Sequence, residues 1–347
     1  MVKRTAAKLF PKVSVIVPCR NERNYICRCI ESIFNNSYEG EIEVIVVDGM
    51  SDDGTRELLR ELQTRYKNLL LLDNPSRITP AALNIGLRVA SGDVILRLDA
   101  HCEMGANYIS TVSRRLFSSN EVGCAGGRTT AHAREEVIER AISTVLTSPF
   151  GIGNSYFRLV TSGVREVDTV AYGAYRREVF EKVGVFDERL IRNQDIEFNY
   201  RIRKAGYKIL LDPSVEVYYY PRRSLAAFCK QNFGNGFWNI ITWKLVPGSL
   251  SWRHFVPLVF VMSLVILGVT SLGVSLSRLL LSLEVGTYMF INTLETVRIA
   301  VTHRKPSLLF TFLVFPALHL SYGIGSIWGV LSVLSRTRRI KSSNRRS

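Results

Sequence analysis

The feature that most constrains this chain is the regular alternation of short apolar runs and helical patterns in its first hundred residues. The apolar runs are 13–17, 43–47, 69–72 and 94–98. The helical segments between them are 23–35, 55–66 and 79–90. Nearly continuous apolar strands that alternate with helices are typical of a parallel sheet covered on both faces. The sequence therefore predicts an α/β fold with a mostly parallel sheet and helices on both of its faces.

Hydrophobicity is distributed unevenly along the 347 residues. Polar and apolar segments alternate as far as Trp252, and long apolar runs follow it. Met1 to Lys12 contains no apolar stretch of the kind found in secretory signals, so the first domain is expected to remain in the cytoplasm. The predicted organisation is a cytosolic domain at 1–240, an α-helical membrane region at 241–335 and a basic tail at 336–347.

Three segments of the membrane region are candidate spans: 255–276, 279–297 and 307–334. The first has 22 residues and no charge, the second is interrupted by Glu284 and Glu295, and Pro316 and His319 suggest a break in the third. Three spans would place the basic tail outside, against the positive-inside tendency. Two spans with a re-entrant or interfacial third segment are therefore favoured. His319 is expected to be packed or interfacial, and not a ligand.

The balance of 45 basic against 30 acidic residues gives a net charge of +15. Part of the excess lies in the tail, at Arg336, Arg338, Arg339, Lys341, Arg345 and Arg346. Such a cluster beside an apolar segment favours contact with anionic lipid, with nucleic acid as the alternative. No nucleic-acid-binding module is recognisable, so no nucleic-acid partner is expected. The six cysteines lack Cys-x-x-Cys spacing and are expected to be reduced thiols.

Polar residues follow three of the predicted strands at the point where each strand ends. They are Cys19–Glu22, Asp48 and Asp99–His101. Ligands of such sheets bind beyond the carboxyl ends of the strands, so the three clusters should meet in one crevice. The first strand is followed by neither a P-loop nor a Gly-x-Gly-x-x-Gly motif. A phosphate bound there would therefore need a metal ion for much of its charge neutralisation.

Asp99 and His101 are two residues apart, and in extended backbone their side chains would point to the same side. They could then share a divalent cation, with Mn²⁺ or Mg²⁺ as the expected ion. An ordinary strand-end turn is the alternative. Asp48 and Asp52 are suited to hydrogen-bonding a base or ribose, and helix capping is their alternative role.

Four ordered motifs, Val13–Glu22, Val46–Thr55, Ala81–Gly86 and Leu98–His101, resemble glycosyltransferase family 2. The pattern is most similar to the membrane-bound succinoglycan-biosynthesis-type subgroup, in which Asp-Ala-His replaces the usual Asp-x-Asp. The similarity extends over about Pro11 to Trp238. It implies a GT-A fold, a nucleotide-diphosphate sugar donor, a Mn²⁺ or Mg²⁺ cofactor and inversion at the anomeric carbon.

The resemblance also implies roles for individual residues. Those expected to bind the nucleotide sugar are Pro18, Arg20, Asn21, Glu22, Asp48, Asp52, Asn84 and Asp99. Those expected on the acceptor side are Tyr172, Gly173, Arg176, Gln194 and Gln231. Asp195 would be the catalytic base, with Gln194 in place of the first acid of the family's Glu-Asp pair. The alternative for Asp195 is an acid at the start of a helix over 195–205, where it would interact with the helix dipole.

Gln231–Trp238 falls where processive relatives carry Gln-x-x-Arg-Trp, but it has no arginine at that position. Transfer of a single sugar is therefore expected. The glycines of this segment either form a mobile loop over the substrates or allow close packing.

The predicted function is transfer of one hexose, with UDP-glucose as the first candidate donor, to a lipid-linked acceptor of the undecaprenyl-diphosphate type. The process would be synthesis of exopolysaccharide or another cell-surface polysaccharide. The enzyme would lie in the cell membrane with its catalytic domain facing the cytoplasm. One alternative is a polyprenyl-phosphate sugar synthase, and another is a non-catalytic membrane scaffold that retains the fold.

Overall fold

The computed structural model describes residues 10–132 and 136–343, with side chains up to residue 335. The side chains of the predicted basic tail lie outside the described residues. Contacts divide the chain into two compact units. The first combines residues 1–130 and 156–220, and the second combines 131–155 and 221–347. Described residues 136–155 and 221–240 thus belong to the same unit as the C-terminal helices. The predicted domain boundary at 240 stays a prediction.

The elements are numbered in chain order. The strands are β1 (Val13–Cys19), β2 (Ile42–Asp48), β3 (Leu69–Asp73), β4 (Val94–Arg97), β5 (Cys102–Met104), β6 (Val122–Ala131), β7 (Arg165–Glu166), β8 (Ala174–Arg176) and β9 (Lys208–Tyr219). The helices are α1 (Ile26–Phe34), α2 (Thr55–Arg65), α3 (Thr79–Val89), α4 (Tyr108–Leu116), α5 (Val137–Val145), α6 (Pro149–Ile152), α7 (Tyr156–Leu159), α8 (Arg177–Val183), α9 (Gln194–Lys204), α10 (Leu225–Leu245), α11 (Val256–Thr270), α12 (Ser275–Thr302) and α13 (Thr311–Ser343).

The first unit is built on a mixed sheet with the strand order β3-β2-β1-β4-β8-β6-β9-β5, and β7 pairs with β9. β1 is parallel to β2 and β4, and β2 is parallel to β3. This confirms the predicted β-α alternation of the first hundred residues. β8 then pairs antiparallel with β4 and β6, and β5 and β7 pair antiparallel with β9. The antiparallel half was not predicted, because its strands are short or broken by polar residues.

The core of the first unit follows from the apolar patterns of its elements. Val13, Val15 and Val17 of β1 are fully buried, as expected for a central strand covered on both faces. α1 buries the stripe Ile26, Cys29, Ile30 and Ile33, which has the three- and four-residue spacing of one helix face. Each large aliphatic side chain buried in this way contributes about 1.5–3 kcal/mol.

In the second unit, glycines bring two helices into backbone contact. A Cβ added at Gly236 of α10 would overlap the carbonyl oxygen of Tyr322 in α13, and one at Gly325 would overlap the carbonyl oxygen of Phe233. Small residues of this kind allow the close helix approach found in membrane bundles. The segment 231–238 is therefore helical, so the loop alternative is wrong and the packing alternative is confirmed.

α13 continues through Pro316, so the predicted break at this residue is wrong. Proline has no N–H to donate to the carbonyl four residues earlier, which here belongs to Phe312. The buried side chain of Asn292 in α12 donates to that carbonyl from Nδ2 at 3.0 Å. The freed acceptor is therefore satisfied by a neighbouring helix, which is how apolar bundles tolerate an internal proline.

His319 of α13 is packed among polar and aromatic partners, which confirms the expectation for this residue. Its Nδ1 lies 2.9 Å from the Tyr288 hydroxyl and its Nε2 lies 3.0 Å from the Phe150 carbonyl oxygen. Within the described part of the chain, two helical segments are long and apolar enough to cross a membrane, Trp252–Thr270 and Pro306–Ser335. Both overlap predicted spans, and the membrane topology stays a prediction.

Candidate active site

The candidate site begins where β4 ends. The strand stops at Arg97, and the residues after it turn, with the Cys102 N–H donating to the Asp99 carbonyl at 3.0 Å. Asp99 and His101 therefore lie in a turn, and the extended geometry predicted for them is wrong. The Leu98 N–H still donates to the Ile16 carbonyl of β1. The turn is thus held against the central parallel strand while its side chains lie beyond the sheet.

A buried arginine links this turn to a distant helix. The guanidinium of Arg97 donates from Nη2 to Asp99 Oδ1 at 2.5 Å and from Nη1 to Asp195 Oδ2 at 3.0 Å. It also lies over the Tyr172 ring, 5.7 Å from the centroid. Arg97 is only 5% exposed, whereas the Asp99 and Asp195 side chains are 25% and 26% exposed. A buried cation thus holds two carboxylates that solvent can reach.

The charges in this array stabilise one another. Burial alone would raise the pKa of Asp99, but the positive charge of Arg97, with a smaller contribution from His101, lowers it below the ordinary value. Burial would likewise lower the pKa of Arg97, but Asp99 and Asp195 raise it above the ordinary value. Asp99 is therefore a carboxylate and Arg97 a cation at neutral pH, because each charge favours the charged form of its partner.

Asp195 lies in the first turn of α9, where its Oδ1 also accepts the Ile196 N–H at 2.9 Å. Its predicted position near the start of a helix is confirmed. Asn193 precedes the helix at φ 64°, and Gln194 is buried beside it. Tyr172 is buried too and adopts φ 53°, a conformation that non-glycine residues rarely hold without surrounding constraints. Its neighbour Gly173 accepts the Arg97 N–H through its carbonyl at 3.2 Å.

On the other side of the turn, His101 Nδ1 lies 3.1 Å from Glu22 Oε1. No group of three or more His, Cys, Asp or Glu side chains within 10–132 and 136–343 is arranged to hold a metal ion. Asp99 and His101 alone make an incomplete set. Mg²⁺ sites commonly use one or two carboxylates together with substrate phosphates, so a set completed by a diphosphate fits these residues.

The loops after β1 and β2 are joined by hydrogen bonds. The Asn21 side chain donates to Asp52 Oδ1 at 2.9 Å and accepts the Asp52 N–H at 3.1 Å, while the Asn21 N–H donates to Ser51 Oγ. Asn21 adopts φ 56°. Pro18 pairs with Val47 in the sheet, and Arg20 is exposed. The predicted nucleotide-binding loops thus form one connected edge beyond the parallel strands.

Asp48 differs from its predicted environment because it is fully buried. Its carboxylate accepts the Ser51 N–H and hydroxyl at 2.9 and 2.5 Å and is paired with Arg56 Nη1 at 2.7 Å. Arg56 also pairs with Asp73 at the end of β3. The helix-capping alternative fits neither Asp48 nor Asp52, because Asp53 is the residue that accepts the Thr55 N–H of α2. Asp48 therefore holds the loop after β2 through Ser51, and Arg56 pairs with the buried carboxylate of Asp48.

Two predicted residues of the first unit, Arg176 and Asn84, make contacts that do not involve the Arg97 array. Arg176 pairs in register with Val94 at the opposite end of β4, where its guanidinium donates to the Leu116 and Ser119 carbonyls. Asn84 is buried in α3 and is hydrogen-bonded to the Phe186 backbone and to Glu188 Oε1. Gln231 lies in α10, within the second unit. The contacts of Arg176 and Asn84 are those of residues that hold the fold together.

Arg97 and Arg56 lie at the site but were not predicted from the sequence. The role of Arg97 could have been suspected from the sequence, because an arginine within the apolar run Val94–Leu98 needs charged partners if it is buried. Nothing in the sequence distinguishes Arg56, because an arginine in the first turn of an exposed helix is common.

The fold can now be compared with solved structures. A mannosyltransferase from Pyrobaculum calidifontis, PcManGT in complex with GDP-Man and Mn²⁺, aligns over 92% of this chain and 88% of its own, with a TM-score of 0.60 and 19% identity. The fold is therefore of the GT-A type, that of the nucleotide-diphospho-sugar transferases.

The sequence comparisons define the family. Residues 14–184 match the glycosyl transferase family 2 model. The succinoglycan biosynthesis protein ExoA of Rhizobium meliloti is 32% identical over 253 residues, which are 70% of this chain and 74% of ExoA. A Methanococcus voltae relative, a dolichyl N-acetyl-α-D-glucosaminyl phosphate 3-β-D-2,3-diacetamido-2,3-dideoxy-β-D-glucuronosyltransferase, is 28% identical over 85% of this chain and 89% of its own length. The chain belongs to glycosyltransferase family 2 and is a glycosyltransferase.

Proposed function

We propose that this chain is a membrane-anchored, metal-dependent, inverting glycosyltransferase that moves a single hexose from a nucleotide-diphosphate sugar to a lipid-linked oligosaccharide. The observation that carries the proposal is the array of Asp99, Arg97 and Asp195. It places a candidate metal-binding carboxylate and a candidate base on one guanidinium, although Arg97 and Asp195 are 98 residues apart in sequence. Inverting transfer needs these two acidic functions close together.

In this proposal Asp195 is the general base. Its carboxylate takes the proton of the acceptor hydroxyl while the hydroxyl oxygen bonds to the anomeric carbon and the bond to the nucleoside diphosphate breaks. The 26% exposure of the Asp195 side chain leaves it accessible to an acceptor. One displacement of this kind inverts the anomeric configuration. Gln194 beside it is uncharged, so Asp195 would act as the base without a second carboxylate at the neighbouring position.

Asp99 and His101 are the proposed ligands of Mn²⁺ or Mg²⁺. The bound ion would neutralise the donor diphosphate and stabilise it as a leaving group. Glu22 orients His101, and the Asn21–Asp52 edge is the proposed surface for the nucleoside. Asp48 is assigned a supporting role here, because its oxygens are occupied by Ser51 and Arg56.

Two observations support a lipid-linked acceptor. Helical segments Trp252–Thr270 and Pro306–Ser335 are suited to anchoring the enzyme in the cell membrane, with the catalytic domain on the cytoplasmic side. The Methanococcus voltae relative is named for a dolichyl-linked sugar acceptor, and the Rhizobium meliloti relative for succinoglycan biosynthesis. An acceptor of the undecaprenyl-diphosphate type stays in the bilayer, so an anchored enzyme would remain beside it.

Transfer of radiolabelled sugar from a panel of nucleotide sugars into the lipid of membranes that contain the protein tests this function. UDP-glucose is the first donor to try. We expect label from one donor to enter lipid with Mn²⁺, to be lost with EDTA, and to fall at least about 100-fold in Asp99→Asn. Nucleotide binding without transfer, even with lipid from the source organism added, would favour a non-catalytic scaffold.

The lability of the product separates the proposed function from a polyprenyl-phosphate sugar synthase. A sugar joined directly to a lipid monophosphate is released by mild acid, whereas a glycosidic bond within an oligosaccharide resists it. We expect the newly added sugar to keep its bond to the acceptor sugar under mild acid. Release of the labelled sugar as a free monosaccharide would instead identify the synthase.

A further inference from the structure

Arg97 is a buried arginine at the end of the apolar strand β4. Burying a guanidinium is costly unless charged partners and hydrogen bonds replace water. An aliphatic residue would fill this strand position at no such cost. Arg97 has its two carboxylate partners and the Tyr172 ring, yet within the described part of the chain its buried Nε has no hydrogen-bond partner. The array is thus not the arrangement that fold stability alone would require.

The contacts of Asp195 indicate what the arginine does. One carboxylate oxygen accepts the Ile196 N–H and the other accepts Nη1 of Arg97, so two donors on different elements fix the carboxylate plane. Without Arg97, the side chain would be held by α9 alone and could rotate about χ1. Orientation of this kind is worth large factors in rate, because a reacting group misplaced by about 1 Å loses about 100-fold.

The chemistry of arginine suits this position. Its pKa lies far above neutral pH, so it holds the carboxylate without competing for the proton that the base removes. Its planar fork reaches two carboxylates at once, which a lysine ammonium cannot do with the same geometry. Its charge also lies between the carboxylates of Asp99 and Asp195 and reduces the repulsion between these two like charges.

We propose that Arg97 is a positioning residue for sugar transfer: it holds the Asp195 carboxylate in the orientation for proton removal and couples it to the Asp99 turn. The proposal rests on the proposed base role of Asp195. It gives Arg97 a role in the rate of the chemical step and none in binding the donor.

Kinetics of Arg97→Gln and Arg97→Lys, measured by label transfer in membranes, test the proposal. We expect Arg97→Gln to lower kcat about 100-fold and to change KM for the donor less than about threefold, because the lost contact orients a reacting group and does not bind the donor. Arg97→Lys should recover about tenfold of that loss, since an ammonium can hold one carboxylate.

Arg115→Gln is the matched control, because Arg115 pairs with the buried Asp212 elsewhere in the first unit. Its kcat should stay within about twofold of the parent.

A double substitution separates positioning from a general structural effect. If Arg97 acts through Asp195, Arg97→Gln combined with Asp195→Asn should be no slower than Asp195→Asn alone, within about twofold. Multiplied losses, or a raised KM with unchanged kcat, would overturn the proposal. If Asp195→Asn itself keeps the parent rate, the base assignment fails and the positioning role fails with it. If Asp195→Asn is slow but Arg97→Gln is not, the positioning role alone fails.

Mn²⁺ binding to the purified protein, followed by electron paramagnetic resonance, gives a readout that does not need turnover. Arg97→Gln should bind Mn²⁺ at least as tightly as the parent, because a positive charge next to Asp99 is removed. Asp99→Asn should weaken the binding about tenfold or more. Weakening by Arg97→Gln to the same extent as by Asp99→Asn would mean that Arg97 only supports the turn, which contradicts the proposal.

Discussion

Asp195→Asn is expected to lower kcat for sugar transfer at least about 1000-fold and to leave KM for the donor nearly unchanged. The amide keeps the size of the side chain, and its single oxygen can still accept from one of the two donors, the Ile196 N–H or Nη1 of Arg97. It cannot take the proton of the acceptor hydroxyl, so only the chemical step is affected. Label transfer at saturating and limiting donor gives both constants.

Asp187→Asn is the control for this substitution, since Asp187 pairs with Arg189 in the same unit and belongs to no part of the proposed site. Its kcat should remain within about threefold of the parent. A rate for Asp195→Asn within about tenfold of the parent would exclude Asp195 as the base. Asp195 would then be only an acid at a helix start.

Gly325→Val is expected to prevent stable assembly of the second unit. The new Cβ would overlap the Phe233 carbonyl and nearby backbone atoms of α10, which cannot move aside as a flexible side chain could. Overpacking of this kind costs about 3 kcal/mol or more, and backbone contact puts this site at the upper end. We expect little folded protein in detergent extracts and a strongly lowered melting temperature for what remains.

Gly286→Val is the matched control for Gly325→Val. Gly286 lies within α12, and a Cβ added there meets no atom within 4 Å. Yield and melting temperature of this variant should therefore stay close to those of the parent. Equal losses from both valine substitutions would show that helical glycine itself matters, and not the contact between α10 and α13.

The parallel half of the fold could be predicted because each of its strands is an apolar run and each helix has a polar face. β1 and α1 are examples, with their burial set by local patterns that sequence displays. β8 and β7 are only three and two residues long, and their places depend on pairing with distant strands. No local pattern carries that information. The continuous course of α13 through Pro316 was missed for the same reason, because the compensating Asn292 lies on another helix.

The candidate site was predictable where its residues follow strands directly. Asp99, His101 and Glu22 lie at strand ends, and the structure places His101 beside Glu22 as the crevice argument requires. Arg176 was placed on the acceptor side by motif, but antiparallel pairing carries it to the far end of β4. The role of Arg97 was not predicted because it depends on Asp195, which is distant in sequence and lies beside Arg97 only in the folded structure.

The anomeric configuration of the transferred sugar tests the central claim most directly. It can be read by NMR from the product formed by the purified protein with its donor, lipid-linked acceptor and Mn²⁺. Proton removal by Asp195 during a single displacement predicts a configuration opposite to that of the donor sugar. A product that retains the donor configuration would contradict this mechanism and the roles assigned to Asp195 and Arg97.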